Sequence, residues 1–145
     1  MSAKTLYRSA AILLLLFAAG HTVGFLKFKP PTLEGRAVLE AMTSVHFQVR
    51  GRDYSYGNFY RGFGLFNSVF LLFGAYLAWL LGDLASQNPR AASAAGWGLS
   101  LTMVASLVLC FRYFNLIAVT FSAVLAVCLG WAASLGRAET AGAPR

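Results

Sequence analysis

The sequence has few charged residues: Asp, Glu, Lys and Arg make up 12% of its 145 residues, where a soluble domain has about 25%. Its hydrophobic fraction is 58%, against about 45–50% in soluble domains. So few charges cannot cover a soluble globule of this size, and so many apolar residues argue against a disordered chain. The composition therefore excludes an ordinary soluble enzyme and indicates a small integral membrane protein.

The residue types that build metal and redox sites are also scarce, with 2 cysteines, 2 histidines and 5 acidic residues. Cys110 and Cys128 both lie in apolar segments, where we interpret them as small packing residues. The sequence has no C-x-x-C pair, no H-x-x-x-H or E-x-x-H zinc spacing, no G-x-S-x-G and no phosphate-binding glycine loop. We therefore expect neither a metal ion nor a cofactor.

Four apolar segments are long enough to cross a bilayer, which takes about 20 mostly apolar residues in a helix. Lys4 and Arg8 precede the first segment, as in a signal peptide, but the apolar run continues through Leu26, which favours an uncleaved helix. The last two segments are so close in sequence that they should form an antiparallel hairpin. The sequence thus predicts one all-α membrane domain over 1–145, a four-transmembrane-helix bundle with spans at about 6–26, 59–81, 94–111 and 116–135.

Small residues recur at every fourth position in the third and fourth segments. Helices in lipid associate through the close approach of small residues, because apolar side chains gain little there from leaving the solvent. The repeats therefore predict a tight seam between these two helices. They comprise Gly98, Thr102, Ser106 and Cys110 in the third segment, and Ala118, Ser122, Ala126, Gly130 and Ser134 in the fourth.

The first loop, 27–58, is unusually polar and aromatic. Thr32 is suited to cap a helix, apolar residues recur at helical spacing from Val38 to Val49, and Arg36 could pair with Glu40 four positions on. This pattern predicts an amphipathic helix that lies on the membrane or caps the bundle. An aromatic run then enters the second span, typical of an interfacial belt or of the wall of a ligand pocket; it comprises Tyr54, Tyr56, Phe59, Tyr60, Phe63 and Phe66.

The positive charges give conflicting indications of orientation. With four spans, the side of the termini carries five of the 12 Lys and Arg residues and the other side seven, which slightly favours termini outside. Lys4 and Arg8 precede the first span, however, and the first helix usually dominates. We therefore expect both termini in the cytoplasm. The net charge of +7 then indicates an anionic ligand or lipid headgroups at the first loop, not nucleic acid.

Connectivity places most of the notable polar residues in one half of the membrane, because the first loop joins the end of the first span to the start of the second. Polar groups within a membrane are costly, and they tend to be paired or functional. The candidate binding residues are His21, Glu40, His46, Asp53, Tyr56, Tyr60, Arg61, Asn67 and Arg112. We expect one shared cavity or polar network, in a single half of the membrane, among His21, Tyr60, Asn67, Glu40, His46 and Asp53.

Two elements resemble those of a group of small, uncharacterised four-span bacterial membrane proteins. They are H-T-x-G-F at 21–25 and, after a loop of some thirty residues, F-Y-x-G-F-G-L at 59–65. The resemblance covers the first half of the chain. It implies the four-span topology and a bacterial inner membrane, and it implies no activity.

Three classes of function remain open. A non-enzymatic membrane protein that binds a lipid or an amphiphilic small molecule, or that serves in a homo-oligomer or a larger membrane complex, fits best. The alternative is a membrane-embedded enzyme for a lipid-like substrate, with His21 as acid/base and with Tyr60, Asn67 and Asp53 positioning the substrate. The third is a small transporter protomer, which would need a polar path through both halves of the membrane. The expected partners are membrane lipids.

Overall fold

The structure is a computed structural model that describes residues 1–141, so that residues 142–145 of the predicted domain lie outside the described residues. Its elements are α1 (Ala3–Lys27), α2 (Leu33–Ser44), β1 (His46–Val49), β2 (Arg52–Ser55), α3 (Tyr56–Gln87), α4 (Pro89–Tyr113) and α5 (Leu116–Ala141). The predicted all-α class is confirmed. Over the described residues, α1, α3, α4 and α5 are the four helices that are long and apolar enough to cross a membrane.

The chain divides into two compact units. Over the described residues, the first comprises 1–17 and 71–141, and the second comprises Ala18–Phe70. The first unit therefore contains the beginning of α1, the end of α3, and α4 and α5. The second contains the end of α1, the first loop and the beginning of α3.

The first unit is a four-helix bundle with a core of small side chains. More than half of its buried apolar side chains are alanines such as Ala10 and Ala78, which let helices approach closely. Tyr7 of α1 is the largest of the fully buried side chains: it is 1% exposed and donates its hydroxyl hydrogen to the Ala92 carbonyl of α4 over 2.9 Å. It lies against Gly96, where a Cβ atom would collide with the phenol. A buried phenol thus links α1 to α4.

The last two helices form the predicted hairpin, and two serines define its seam. Ser93 donates its hydroxyl hydrogen to the Ala133 carbonyl, and Ser100 donates to the Ala126 carbonyl, each over 2.8 Å. The two donors are two turns apart on α4, and the two acceptors are two turns apart on α5 in the reverse order. Both bonds therefore lie along one antiparallel seam.

The predicted α4 stripe meets this seam only at its end, where Cys110 accepts a hydrogen bond from the Ser122 hydroxyl of α5 over 3.6 Å. Gly98 and Thr102 are exposed, and Ser106 donates its hydroxyl hydrogen to a carbonyl of its own helix. On α5 the predicted stripe is correct in its middle, where Ser122 and Ala126 are buried. Since α4 has small residues on more than one face, their spacing does not select the face; the serines that reach α5 carbonyls do.

In the second unit, α2 is the amphipathic helix predicted in the first loop. Thr32 caps it as predicted, accepting a hydrogen bond from a backbone N–H of the first turn over 3.0 Å. None of the α2 residues is buried, as suits a helix on a membrane surface. The predicted ion pair between Arg36 and Glu40 is wrong: the Arg36 guanidinium instead donates to the Pro30 and Pro31 carbonyls, at 3.3 and 3.5 Å.

The helical spacing predicts that the amphipathic helix continues to Val49. In the structure α2 ends at Ser44, and a β-hairpin follows it. Strands β1 and β2 pair antiparallel with Phe47 opposite Tyr54, and the centroids of these two rings are 6.0 Å apart. The turn is Arg50-Gly51, with φ angles of 51° and 76°, as a two-residue hairpin turn with positive φ at both positions requires. The alternation of polar and apolar residues in β1, followed by an X-Gly pair, was the sequence signal for this hairpin.

We expect Gly96→Ala to lower the free energy of unfolding by about 1–3 kcal/mol, because the new methyl group would collide with the Tyr7 phenol. The matched control is Gly98→Ala on the same helix, where nothing lies within 4 Å of the added Cβ. It should be neutral or stabilising, since alanine favours a helix over glycine by about 1 kcal/mol. Unfolding in detergent micelles would measure both variants, and equal stabilities would show that Tyr7 does not need this close approach.

Candidate functional site

His21 joins α1 to α3 within the second unit. Its Nε2 atom lies 3.0 Å from the Gly64 carbonyl oxygen and 3.4 Å from the side-chain amide nitrogen of Asn67. Because a carbonyl only accepts, Nε2 carries a hydrogen and donates it to Gly64. Asn67 can then form a hydrogen bond with this Nε2–H only if its amide oxygen accepts it. His21 is thus a donor that ties two helices together.

The absence of a side chain at Gly64 allows Phe25 to approach. A Cβ atom at Gly64 would collide with the Phe25 ring, which stacks on His21 with centroids 5.8 Å apart and lies 5.2 Å from the Tyr60 ring. We call His21, Phe25, Tyr60, Gly64 and Asn67 the histidine cluster. Its first four members come from the two elements at 21–25 and 59–65, so these elements pack against each other in this chain.

A pair of hydroxyl groups extends the same contact. The Thr22 and Ser68 oxygens are 2.8 Å apart, and Thr22 also lies 2.7 Å from the Ala18 carbonyl of its own helix. Ser68 is 6% exposed. These bonds satisfy polar groups that would be costly to leave unpaired in an apolar environment.

The surroundings of His21 lack an acidic partner among the described residues. Its hydrogen-bonding neighbours are a backbone carbonyl and an amide, and its ring neighbour is Phe25. A catalytic histidine normally has a further group that orients the ring and stabilises its protonated form. The role of His21 as acid/base therefore stays a prediction, and its observed role is to join helices.

A basic cleft of about 540 Å³ opens beside α2 in the second unit. Three cations, Lys29, Arg36 and Arg61, surround it with one carboxylate, Glu40, which leaves an excess of two positive charges. The bonds from Arg36 to the Pro30 and Pro31 carbonyls fix the position of its guanidinium. The lining residues are Lys29, Pro30, Arg36, Leu39, Glu40, Thr43 and Arg61.

A second cavity of about 750 Å³ follows the first turns of α3, and we call it the aromatic groove. Asp53 is at its rim, and its carboxylate accepts a hydrogen bond from Nδ1 of His46 over 2.5 Å. Both side chains of this pair are about half exposed, at 50% for His46 and 54% for Asp53. The lining residues are Asp53, Tyr54, Asn58, Phe59, Gly62, Phe63 and Phe66.

The structure brings together part of the expected cavity or polar network: His21 and Asn67 are neighbours, and Tyr60 reaches His21 through Phe25. Glu40 lines the basic cleft, Asp53 lines the aromatic groove, and His21 and Asn67 line neither of these two cavities. The reason for this separation is the rotation of α3: successive residues point about 100° apart around a helix, so Tyr60 faces the histidine cluster while its neighbours face elsewhere. Connectivity fixes the end of a helix at which a residue lies, but not its face.

Two further candidate residues lie apart from these cavities. The Tyr56 ring is 4.8 Å from Phe47 of the hairpin. Arg112 belongs to the first unit, where it is exposed near the end of α4, with its guanidinium 5.8 Å from the centroid of the Tyr113 ring.

Sequence reasoning missed an ion-pair cluster in the first unit. Arg8 donates to a carboxylate oxygen of Asp83 over 2.8 Å, the Lys4 ammonium is 3.4 Å from the same oxygen, and the Arg8 guanidinium lies 3.6 Å from the centroid of the Trp79 ring. In the sequence, the positions of Lys4 and Arg8 indicate only the orientation of the first span. Asp83 was the available signal, since an acid beside an apolar helix needs a cationic partner.

Among the described residues, no three His, Cys, Asp or Glu side chains are grouped as a metal site would require. Comparisons with protein-family models, with curated proteins and with solved structures found no match to this chain. The geometry of the second unit is therefore the basis for assigning a function.

We expect Gly64→Ala to displace Phe25 from His21, because the added methyl group and the ring cannot occupy the same space. The cost should be about 1–3 kcal/mol, and amide hydrogen exchange of residues 18–27 should accelerate. Gly62→Ala is the matched control, since nothing lies within 4 Å of its added Cβ. Equal exchange in the two variants would contradict the assigned packing of the histidine cluster.

Proposed function

We propose that this chain is an integral membrane protein that binds an anionic amphiphile, with the charged headgroup in the basic cleft. The observation that carries the proposal is the convergence of Lys29, Arg36 and Arg61 on one cavity of about 540 Å³. Small-molecule sites commonly have volumes of about 300–1,000 Å³. An anionic headgroup would relieve the mutual repulsion of the three cations.

The geometry of Arg36 supports recognition of a phosphate or carboxylate group. An arginine presents its donors in a planar fork that matches two oxygens of such a group. Since the Pro30 and Pro31 carbonyls already hold the Arg36 guanidinium, little side-chain freedom is lost when an anion binds. Lys29, which precedes α2 in the sequence, and Arg61, which follows it, would add positive charge to the same cleft.

The surroundings of the cleft favour an amphiphile over a small soluble anion. Pro30 and Leu39 form part of its wall, and on α2 the side chains of Leu33 and Val38 are 77% and 61% exposed. Such an uncovered apolar surface on a short helix suits the boundary between headgroups and acyl chains. A lipid would place its headgroup among the cations and its acyl chains against this surface.

The proposal requires no catalysis. The cleft is lined by neither histidine nor cysteine, and the Thr43 hydroxyl donates to the Leu39 carbonyl of its own helix over 2.9 Å. Binding of lipid, alone or within a larger membrane complex, is thus the function that these residues support.

Titration of the purified protein in uncharged maltoside micelles with a short-chain phosphatidylglycerol tests the proposal. We expect saturable binding that weakens with salt. Arg61→Gln should weaken it about fivefold, the equivalent of about 1 kcal/mol for one lost cation near a headgroup. Arg52→Gln is the matched control, because Arg52 is an exposed arginine of the same unit that does not line the cleft.

Equal weakening of lipid binding by Arg61→Gln and Arg52→Gln would show that binding depends only on the net charge of the protein. It would contradict a specific site in the cleft. Equal affinity for short-chain phosphatidylcholine, which has no net charge, would contradict recognition of an anion.

We propose in addition that the protein resides in a bacterial inner membrane with both termini in the cytoplasm. The resemblance of segments 21–25 and 59–65 to small bacterial four-span proteins supports the bacterial membrane. Lys4 and Arg8, which precede the first span, support the cytoplasmic termini. Asp83 pairs with both of these cations in the folded chain, but it is synthesised only after α1, so it cannot offset their charge while α1 inserts. Their orienting effect is therefore retained.

Reporter fusions test this orientation. We expect a reporter at either terminus to be active in the cytoplasm and one inserted near Arg52, in the hairpin, to be active outside. The reverse pattern would show that the seven cations of the other side determine the orientation.

A further inference from the structure

We infer that the aromatic groove is a second binding site, for an amphiphile with a quaternary ammonium head. The inference does not depend on the basic cleft, because no residue lines both cavities. The site combines an apolar trough along α3 with a carboxylate and an amide at the start of that helix.

The trough is formed by three phenylalanines on one face of α3. Phe59, Phe63 and Phe66 follow at intervals of four and three residues, which places them in a row about 10 Å long. Their side chains are 54%, 63% and 61% exposed, so no other part of the described chain covers them fully. Phe59 and Phe63 meet edge to face, with centroids 4.8 Å apart, so that the two rings form one apolar surface. An alkyl chain is the ligand part that such a row accommodates.

The polar end of the groove selects the sign of the head. Asp53 brings a negative charge to the rim, and Tyr54 and Phe59 bring aromatic rings to the same cavity. The face of an aromatic ring carries partial negative charge and attracts cations within about 6 Å. A carboxylate and ring faces thus both favour a cationic head and both disfavour an anionic one, the opposite of the basic cleft.

Hydrogen bonding then distinguishes between kinds of cation. One Asp53 oxygen already accepts from His46, and a primary ammonium has three N–H donors and a strong hydration that a largely aromatic groove would have to replace. A quaternary ammonium has no N–H to satisfy, and it is the cation that aromatic cages recognise. The cavity volume of about 750 Å³ lies within the usual range for a ligand of this size.

Dodecyltrimethylammonium, titrated into the protein in uncharged maltoside micelles and followed by calorimetry, tests the inference. We expect saturable binding that dodecanol and dodecyl sulfate do not reproduce. Asp53→Asn should weaken it about three- to tenfold by removing the charge, and Phe63→Leu about threefold by removing a ring while keeping an apolar side chain. Phe73→Leu is the matched control, because Phe73 is a 53% exposed ring of the same helix that does not line the groove.

Each outcome supports or overturns the inference. Loss with Asp53→Asn and Phe63→Leu but not with Phe73→Leu supports it. Equal binding of dodecanol would show that the groove takes only the alkyl chain. Equal loss in all three variants would show binding that is not confined to the groove, and no loss in any variant would show general partitioning into the micelle. If Asp53→Asn disturbs the hairpin, which circular dichroism would reveal, Phe63→Leu still decides: unchanged binding in that variant overturns the site.

Discussion

Close approach between helices, made possible where a side chain is absent, is the constraint on which both units depend. Gly96 admits the Tyr7 phenol in the first unit, and Gly64 admits the Phe25 ring in the second. In a membrane, apolar side chains gain little from leaving the lipid, so packing and a few polar bonds must hold helices together. A methyl group at either glycine removes the space that an aromatic ring of α1 occupies.

The polar bonds of the bundle set which helix faces meet. Ser93 and Ser100 reach carbonyls of α5, His21 reaches a carbonyl of α3, and Arg8 reaches Asp83. Each such bond satisfies a group that would otherwise be costly in an apolar environment, so rotation of a helix away from its partner is penalised. Most polar residues within the helices are in this sense structural, which weakens the case for His21 as a catalyst and moves the functional interest to the two cavities.

In the second unit, the excess of positive charge and the Asp53 carboxylate line different cavities. Cations converge on the basic cleft beside α2, while the Asp53 carboxylate stands with aromatic rings at the groove along α3. Arg61 and Gly62 are neighbours in sequence yet line different cavities, because the turn of the helix separates them. One short stretch of α3 thus contributes to both proposed sites, one for an anion and one for a cation.

The sequence by itself determined the helical class, the four apolar segments, the amphipathic helix with its Thr32 cap, and the hairpin of α4 and α5, because these follow from hydropathy, length and local hydrogen bonding. It did not determine that Gly98 faces away from α5 while Ser100 faces it, or that Glu40, Asp53 and His21 lie in three separate places. Those features depend on helix rotation, and rotation is decided by contacts between residues distant in sequence, such as Tyr7 with Gly96 and Phe25 with Gly64. Local patterns carry no information about such partners, so only the tertiary structure could decide them.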